Sequence, residues 1–286
     1  MMAKNRSRIV LAALIGCVCI GSNSFSQEPP ASPFEAGYFD HDMQFFAPAE
    51  WSEFGNGPDA PIGWYFDYRR MLMSLSGPSG TATGLATANR GQWGWGNRFQ
   101  IGYMTNEQKG WSAEIYRQSV PVTTELNSIE VNRVFRLNPL EDGGIVEVFA
   151  GPRFVNFQDR VITFPDGVTL NIASTSNNMV GAQLGTRWFR RKGRWQLSTE
   201  GRGFVMQNFQ AYNNPAGPSN NSSGDEFVWG ANVRAEAAYI LTKDISIVSG
   251  IDILGFGQGI GRQNDPFTAD QEMIVSAFTF GFVFGR

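Results

Sequence analysis

The 286-residue chain is sparing in charge, with 17% Asp, Glu, Lys and Arg and a net charge of −3, and it is rich in glycine (33 residues) and aromatics (13%). This balance leaves no electrostatic footprint for nucleic acid. The length admits one large all-β domain or two small ones, and beyond the N-terminal region no stretch approaches 18 uninterrupted apolar residues, so no transmembrane helix is expected.

The chain starts with Lys4, Arg6 and Arg8, followed by an apolar run over residues 9–20 and a small-x-small site, Ser24-Phe25-Ser26, before Gln27. This pattern predicts a signal peptide over residues 1–26, exported by a Sec-type route and cleaved near Ser26. A second reading is a lipoprotein signal at Leu14-Ile15-Gly16-Cys17, although the apolar run continues past it through Val18, Cys19 and Ile20. Both cysteines lie in this leader. Cleavage after Ser26 therefore leaves a mature chain with no disulfide, no thiolate metal site and no cysteine nucleophile. Residues 27–62 carry Pro29, Pro30, Pro33, Pro48, Pro58 and Pro61 without period-two order, which predicts an irregular periplasmic segment.

From Gly63 onward, about ten segments alternate apolar and polar residues, placing every second side chain on one face. Phe99, Ile101 and Tyr103 oppose Arg98 and Gln100; Trp111, Ala113 and Ile115 oppose Ser112 and Glu114. Around residues 129–137 the pattern is less clean, because Arg133 falls on the apolar face. Val146, Val148, Ala150 and Phe154 oppose Glu147, Gly151 and Arg153, and Val180, Ala182, Leu184 and Trp188 oppose Gln183 and Arg187. Trp195, Leu197 and Val205 oppose Gln196, Glu200 and Arg202. Phe227, Trp229, Ala231, Val233, Ala235, Ala237, Tyr239 and Leu241 oppose Gly230, Asn232, Arg234 and Glu236. In residues 245–255 both faces are fairly apolar, with Asp252 the main polar point; in the last segment Phe278, Phe280, Phe282 and Phe284 oppose Ala277, Thr279 and Gly281.

The connections alternate in length. Residues 75–95 are long, 105–109 short, 119–126 medium and 138–143 short. Residues 159–177 are long, with an outer hairpin expected from 161–164 and 168–172. Residues 191–193 are very short, 211–225 long, 242–244 very short and 257–270 long. Sorted loops and an apolar face with aromatic ends predict an all-β, transmembrane, antiparallel up-and-down barrel over residues 63–286, of about ten strands (between about eight and twelve), with both termini on the periplasmic, short-turn side. The expected location is the cell outer membrane. The expected partners are outer-membrane lipids, the barrel-assembly machinery, and small solutes or extracellular partners reached through the long loops.

The lumen-lining candidates are Arg98, Glu114, Glu147, Arg153, Arg187, Glu200, Arg202, Arg234, Glu236 and Asp252, with Asp67, Arg69, Glu130 and Arg136 on the same face. A barrel of this size has a narrow interior, where an unpaired charge costs several kcal/mol. The acids and arginines are therefore expected to pair, either as a salt-bridged plug or as the lining of a narrow ion or small-solute path. Arg190, Arg191, Lys192 and Arg194 cluster at one short turn, suited to anionic headgroups or a periplasmic partner.

Chemistry is sparse. The single histidine, His41, lies between Asp40 and Asp42 in the N-terminal segment, outside every predicted strand. No catalytic residue, metal site or cofactor is assigned, and no enzyme activity is expected. Asp159, Asp166, Asp225, Asp265, Asp270 and Glu272 lack EF-hand spacing. The glycine-rich run 255–261 lacks the Lys-Ser/Thr and helix of a phosphate cradle.

Four segments carry a resemblance: Gly63-Trp64-Tyr65-Phe66-Asp67-Tyr68-Arg69, Trp95-Gly96-Asn97-Arg98-Phe99-Gln100-Ile101-Gly102-Tyr103, Asn178-Met179-Val180-Gly181-Ala182-Gln183-Leu184-Gly185, and the stretch from Phe189 through Gly203. Together they resemble a family of outer-membrane, porin-like β-barrel proteins of planctomycetes and their relatives, over residues 63–286. The resemblance implies a barrel and brings no catalytic residue with it. Many outer-membrane barrels end on an aromatic residue, whereas this chain ends Phe284-Gly285-Arg286.

Overall fold

The computed structural model describes residues 62–76, 93–120, 124–141, 143–163, 171–213, 222–261 and 271–285. The predicted leader, residues 27–61 of the proline-rich segment and His41 lie outside them. The chain divides into Met1–Met43 and Gln44–Arg286, and the second unit holds all ten strands. These are β1 (Gly63–Leu75), β2 (Trp93–Asn106), β3 (Lys109–Val120), β4 (Thr124–Arg136), β5 (Ile145–Thr163), β6 (Asn171–Lys192), β7 (Trp195–Asn213), β8 (Ser222–Ile240), β9 (Ile245–Ile260) and β10 (Gln271–Gly285). Each pairs antiparallel with its chain neighbours. β1 closes the wall on β10, from Tyr65 opposite Gly285 to Leu75 opposite Val275. The fold is a closed ten-stranded up-and-down β-barrel, and among the described residues no helix is long and apolar enough to cross a membrane.

Turn chemistry shapes one end. Between β2 and β3, the Asn106 Oδ1 accepts from the backbone N–H groups of Gln108 (3.0 Å) and Lys109 (2.8 Å), an Asx turn that reverses the chain in two residues. Gly193, between β6 and β7, sits at φ 58°, a conformation a Cβ disfavours. Between β8 and β9, Thr242 Oγ1 accepts from the Ile245 N–H at 3.1 Å.

Strand ends differ from the sequence reading at the other end. β5 and β6 run on past the expected loop and pair with each other up to Thr163 opposite Asn171. Residues 161–163 and 171–172 of the expected outer hairpin thus continue the wall, and residues 164–170 lie outside the described residues. The connection between β3 and β4 shrinks to residues 121–123, shorter than residues 137–144 between β4 and β5. The strict long–short alternation is therefore corrected. Apolar alternation marks only the stretch of a strand that faces an apolar medium, whereas the backbone ladder continues for as long as hydrogen bonds can form.

The packing is inverted relative to a water-soluble barrel. Leu184 and Phe227 are each 61% exposed and Phe278 is 60% exposed, while Arg98 is 0% and Arg69 1% exposed. Aromatics flank the apolar outer surface at both ends. Trp64 packs on Tyr103 (4.9 Å) and Trp195 on Tyr239 (5.1 Å) towards the short turns, and Trp93 stacks on Phe278 (6.5 Å) towards the other end. Arg133, the residue that broke the alternation, lies over the Trp111 ring at 4.6 Å, so its charge sits in the aromatic girdle where a cationic tip reaches water. An exposed apolar band bounded by aromatics, around a polar interior, is the surface of a membrane β-barrel.

Candidate functional site: a charged layer across the lumen

Inward positions on nine strands supply seven arginines and seven carboxylates to one connected network. Asp67 pairs with Arg69, which reaches Glu236 (3.4 Å); Glu236 holds Arg98 (2.5 Å). Arg98 meets Asp252 (3.2 Å), Asp252 meets Arg234 (3.2 Å), and Arg234 continues to Glu114 (3.3 Å) and Glu200 (3.4 Å). Arg202 sits among Glu114 (3.6 Å), Glu130 (2.5 Å) and Glu200, and Arg153 adds to Glu130 (3.8 Å). Arg187 joins Glu200 (2.7 Å) to Glu147 (3.6 Å), where Arg136 also ends (2.9 Å). All ten lumen-lining candidates and the four companions on their face lie in this one network.

Several of these pairs join strands that are not neighbours in the wall: β1 and β2 to β8, β2 to β9, β3 to β7 and β8, and β4 to β7. They therefore cross the interior. The equal count matters because each buried ion costs several kcal/mol in desolvation, and only close opposite charges and further hydrogen bonds offset it. Neutral partners supply such bonds. Asn232 donates to Asp252 (2.5 Å), Asn132 to Glu130 (3.1 Å), and Gln183 to Asn132 (2.8 Å). Of the ten strands, only β10 adds no charge to this network. Its inward Gly281 faces Arg69, and the Arg69 guanidinium lies along the wall, donating to the Phe282 carbonyl at 3.3 Å.

Sequence reasoning missed what lies beyond this layer. Towards the long-connection end the same inward faces turn apolar: Met71 and Met73 on β1, Val155 and Phe157 on β5, Phe204 and Met206 on β7, Leu254 and Phe256 on β9, and Met273 and Val275 on β10. All are buried. Arg153 stacks over Phe204 at 4.7 Å, joining the two layers. Farther out, a polar cap holds the end of β9. Asn177 donates to the Gly261 carbonyl (2.8 Å) and accepts from its N–H (2.9 Å). Asn208 and Gln210 both donate to the Gly259 carbonyl (2.8 Å each), and Gly259 adopts φ 103°. The glycine-rich run is thus the end of a strand anchored across to β6 and β7. The inward parity of these apolar residues was the available signal, hidden because apolar residues on an inner face look like those on an outer one.

Towards the short turns, the charged layer forms the floor of a cavity of about 340 Å³. Tyr65, Gln100, Phe189, Lys243 and Asp244 line its sides, above Asp67, Glu147, Arg187 and Glu236. Asp159 is buried and accepts from Thr124 (3.0 Å), Asp225 lies in β8 and Glu272 in β10; Asp166, Asp265 and Asp270 fall outside the described residues. Among the described residues no group of three or more potential metal ligands gathers. Arg190, Arg191 and Lys192 end β6, with Arg194 in the turn that follows.

No protein-family model matches the chain, and no curated protein matches it. Solved structures similar to it include the outer membrane protease OmpT from Escherichia coli, at 11% identity and a TM-score of 0.48, covering 80% of this chain and 100% of that one. The translocator domain of autotransporter NalP from Neisseria meningitidis follows at 13% identity and a TM-score of 0.44, covering 82% and 93%. Neisserial surface protein A stands at 9% identity and a TM-score of 0.38, covering 80% and 100%. At these values no activity passes from any of them to this chain, whose architecture rests on its own strand pairing and its inverted packing.

Proposed function

We propose that this chain is an outer-membrane barrel with a structural role: a sealed, non-enzymatic scaffold that holds its long connections on the outer face of the cell. The observation that carries this reading is the balanced charge network spanning the interior, backed by an apolar layer. A path for solutes would have to break several buried ion pairs at once, each worth about 3–5 kcal/mol when one partner is lost. The porin-like reading suggested by the planctomycete-type resemblance keeps a place only if that network opens. The cavity at the short-turn mouth then marks where a solute would halt.

In this reading the predicted leader directs export, the barrel-assembly machinery inserts the strands, and extracellular partners meet residues 77–92, 214–221 and 262–270. The experiment is epitope insertion in intact cells. A tag between residues 84 and 85 should be reached by antibody from outside, and one between Glu107 and Gln108 only after the envelope is permeabilised. The reverse pattern, or access to neither tag on a folded protein, contradicts the proposed orientation.

A further inference from the structure

One lipid-facing row is polar where its surroundings are not. Arg70 on β1, Asn97 on β2 and Arg117 on β3 stand directly opposite one another in register. Their side chains are outward, with Arg70 and Arg117 exposed. Asn97 Oδ1 accepts from Arg70 Nη1 (2.9 Å) and from the Tyr68 hydroxyl (2.9 Å). The Arg70 guanidinium lies 5.1 Å from the Trp95 ring centroid. Neither arginine forms an ion pair among the described residues; Glu125, diagonal to Arg117 on β4, stays outside pairing distance.

The level of this row is set by the strands. Arg70 follows the girdle residue Trp64 by six positions on β1, and at about 3.3 Å per residue and about 40° tilt it stands roughly 15 Å up a belt about 25 Å tall. Trp95 and Trp93, 56% and 54% exposed, lie above it. Two guanidiniums therefore sit in the half of the belt nearer the long connections, below its aromatic rim. At that depth an uncompensated arginine is costly. Asn97 and Trp95 compensate part of the Arg70 charge, and among the described residues none pairs with Arg117.

We propose that Arg70, Asn97 and Arg117 bind the headgroup phosphate of a membrane lipid in the leaflet nearer the long connections. Two guanidiniums flanking an amide on adjacent strands match a phosphate's several acceptor oxygens. Trp95 and Tyr68 offer flat apolar surface for the glycerol and upper acyl chain. Arginine side chains extend along an apolar wall towards the headgroups, so the phosphate need not descend to the level of the backbone. The proposal rests on the membrane-barrel reading.

The test is native mass spectrometry of the full chain released from phosphatidylcholine vesicles doped with phosphatidic acid. The wild type should retain phosphatidic acid in preference to phosphatidylcholine. Arg70→Gln with Arg117→Gln should lower that preference about tenfold, as expected when two charge-assisted contacts are lost. Arg133→Gln, at the opposite rim, should leave it unchanged. Equal retention by wild type and the double variant, or an equal loss with Arg133→Gln, overturns the site. Insertion into pure phosphatidylcholine, read by heat-modifiable migration, is scored separately. Failure there removes the membrane reading and this proposal together, whereas insertion without lipid preference removes the proposal alone.

Discussion

Glu200 is the carboxylate on which the charged layer turns, and its removal shows what the network contributes. It contacts Arg187 (2.7 Å), Arg234 (3.4 Å) and Arg202, all three from the interior of the barrel. Glu200→Gln keeps the shape, but it turns one of two oxygens that accept from guanidiniums into an NH2 donor and leaves seven guanidiniums facing six carboxylates. Arg187 would retain only Glu147 at 3.6 Å, while Arg202 and Arg234 would retain Glu114 and one further acid each. Breaking a buried pair in this way costs about 3–5 kcal/mol, and the residual partners on Arg202 and Arg234 place the expected loss at the lower end, about 3 kcal/mol. Arg202→Gln should cost a similar amount. The double variant restores charge balance, so it should be less destabilised than the sum of the singles by about 1–3 kcal/mol. The assay is urea unfolding in vesicles, followed by tryptophan fluorescence and heat-modifiable migration. Singles within about 0.5 kcal/mol of wild type, adding without coupling, would refute the idea of a tightly paired interior.

Leu184→Arg should lower stability in a bilayer by about 2–4 kcal/mol although the side chain is exposed, because its surroundings are hydrocarbon; unfolding in vesicles checks it, and a neutral effect would mean this face meets water. Gly259→Ala should destabilise the β9 end by about 1–3 kcal/mol, since φ is 103° and the new Cβ would press against the Phe227 carbonyl. Hydrogen exchange at Ile260 and Gly261 would register it as faster opening. Asn177→Ala removes the amide that both donates to and accepts from Gly261, and should cost about 1–3 kcal/mol with the same local rise in exchange.

The architecture was legible because membrane strands carry their environment in parity. On β8, Val233 faces out and Arg234 in, and nothing beyond alternation is needed to separate them. The charged residues on one face were legible for the same reason. Their pairing was not, because Arg98 meets Asp252 only after closure of β1 on β10 brings β2 and β9 into reach. The apolar layer stayed hidden for a different reason. Met71 and Met73 share a face with Asp67 and Arg69, and alternation reports which face a residue is on, never a change of chemistry along it. Strand ends were the weakest point, as β5 and β6 show, since the outward positions near their ends carry polar residues such as Arg160, Ser174 and Ser176 that read as loop.

The central claim is a barrel closed along its axis by paired charge, and single-channel recording in a planar bilayer tests it most directly. Protein shown to be folded and inserted by heat-modifiable migration should give no discrete conductance steps, and the double variant Glu200→Gln with Arg202→Gln should admit at most brief openings. Stable, ion-selective steps from the wild type would contradict the claim and make the charged layer the lining of a pore.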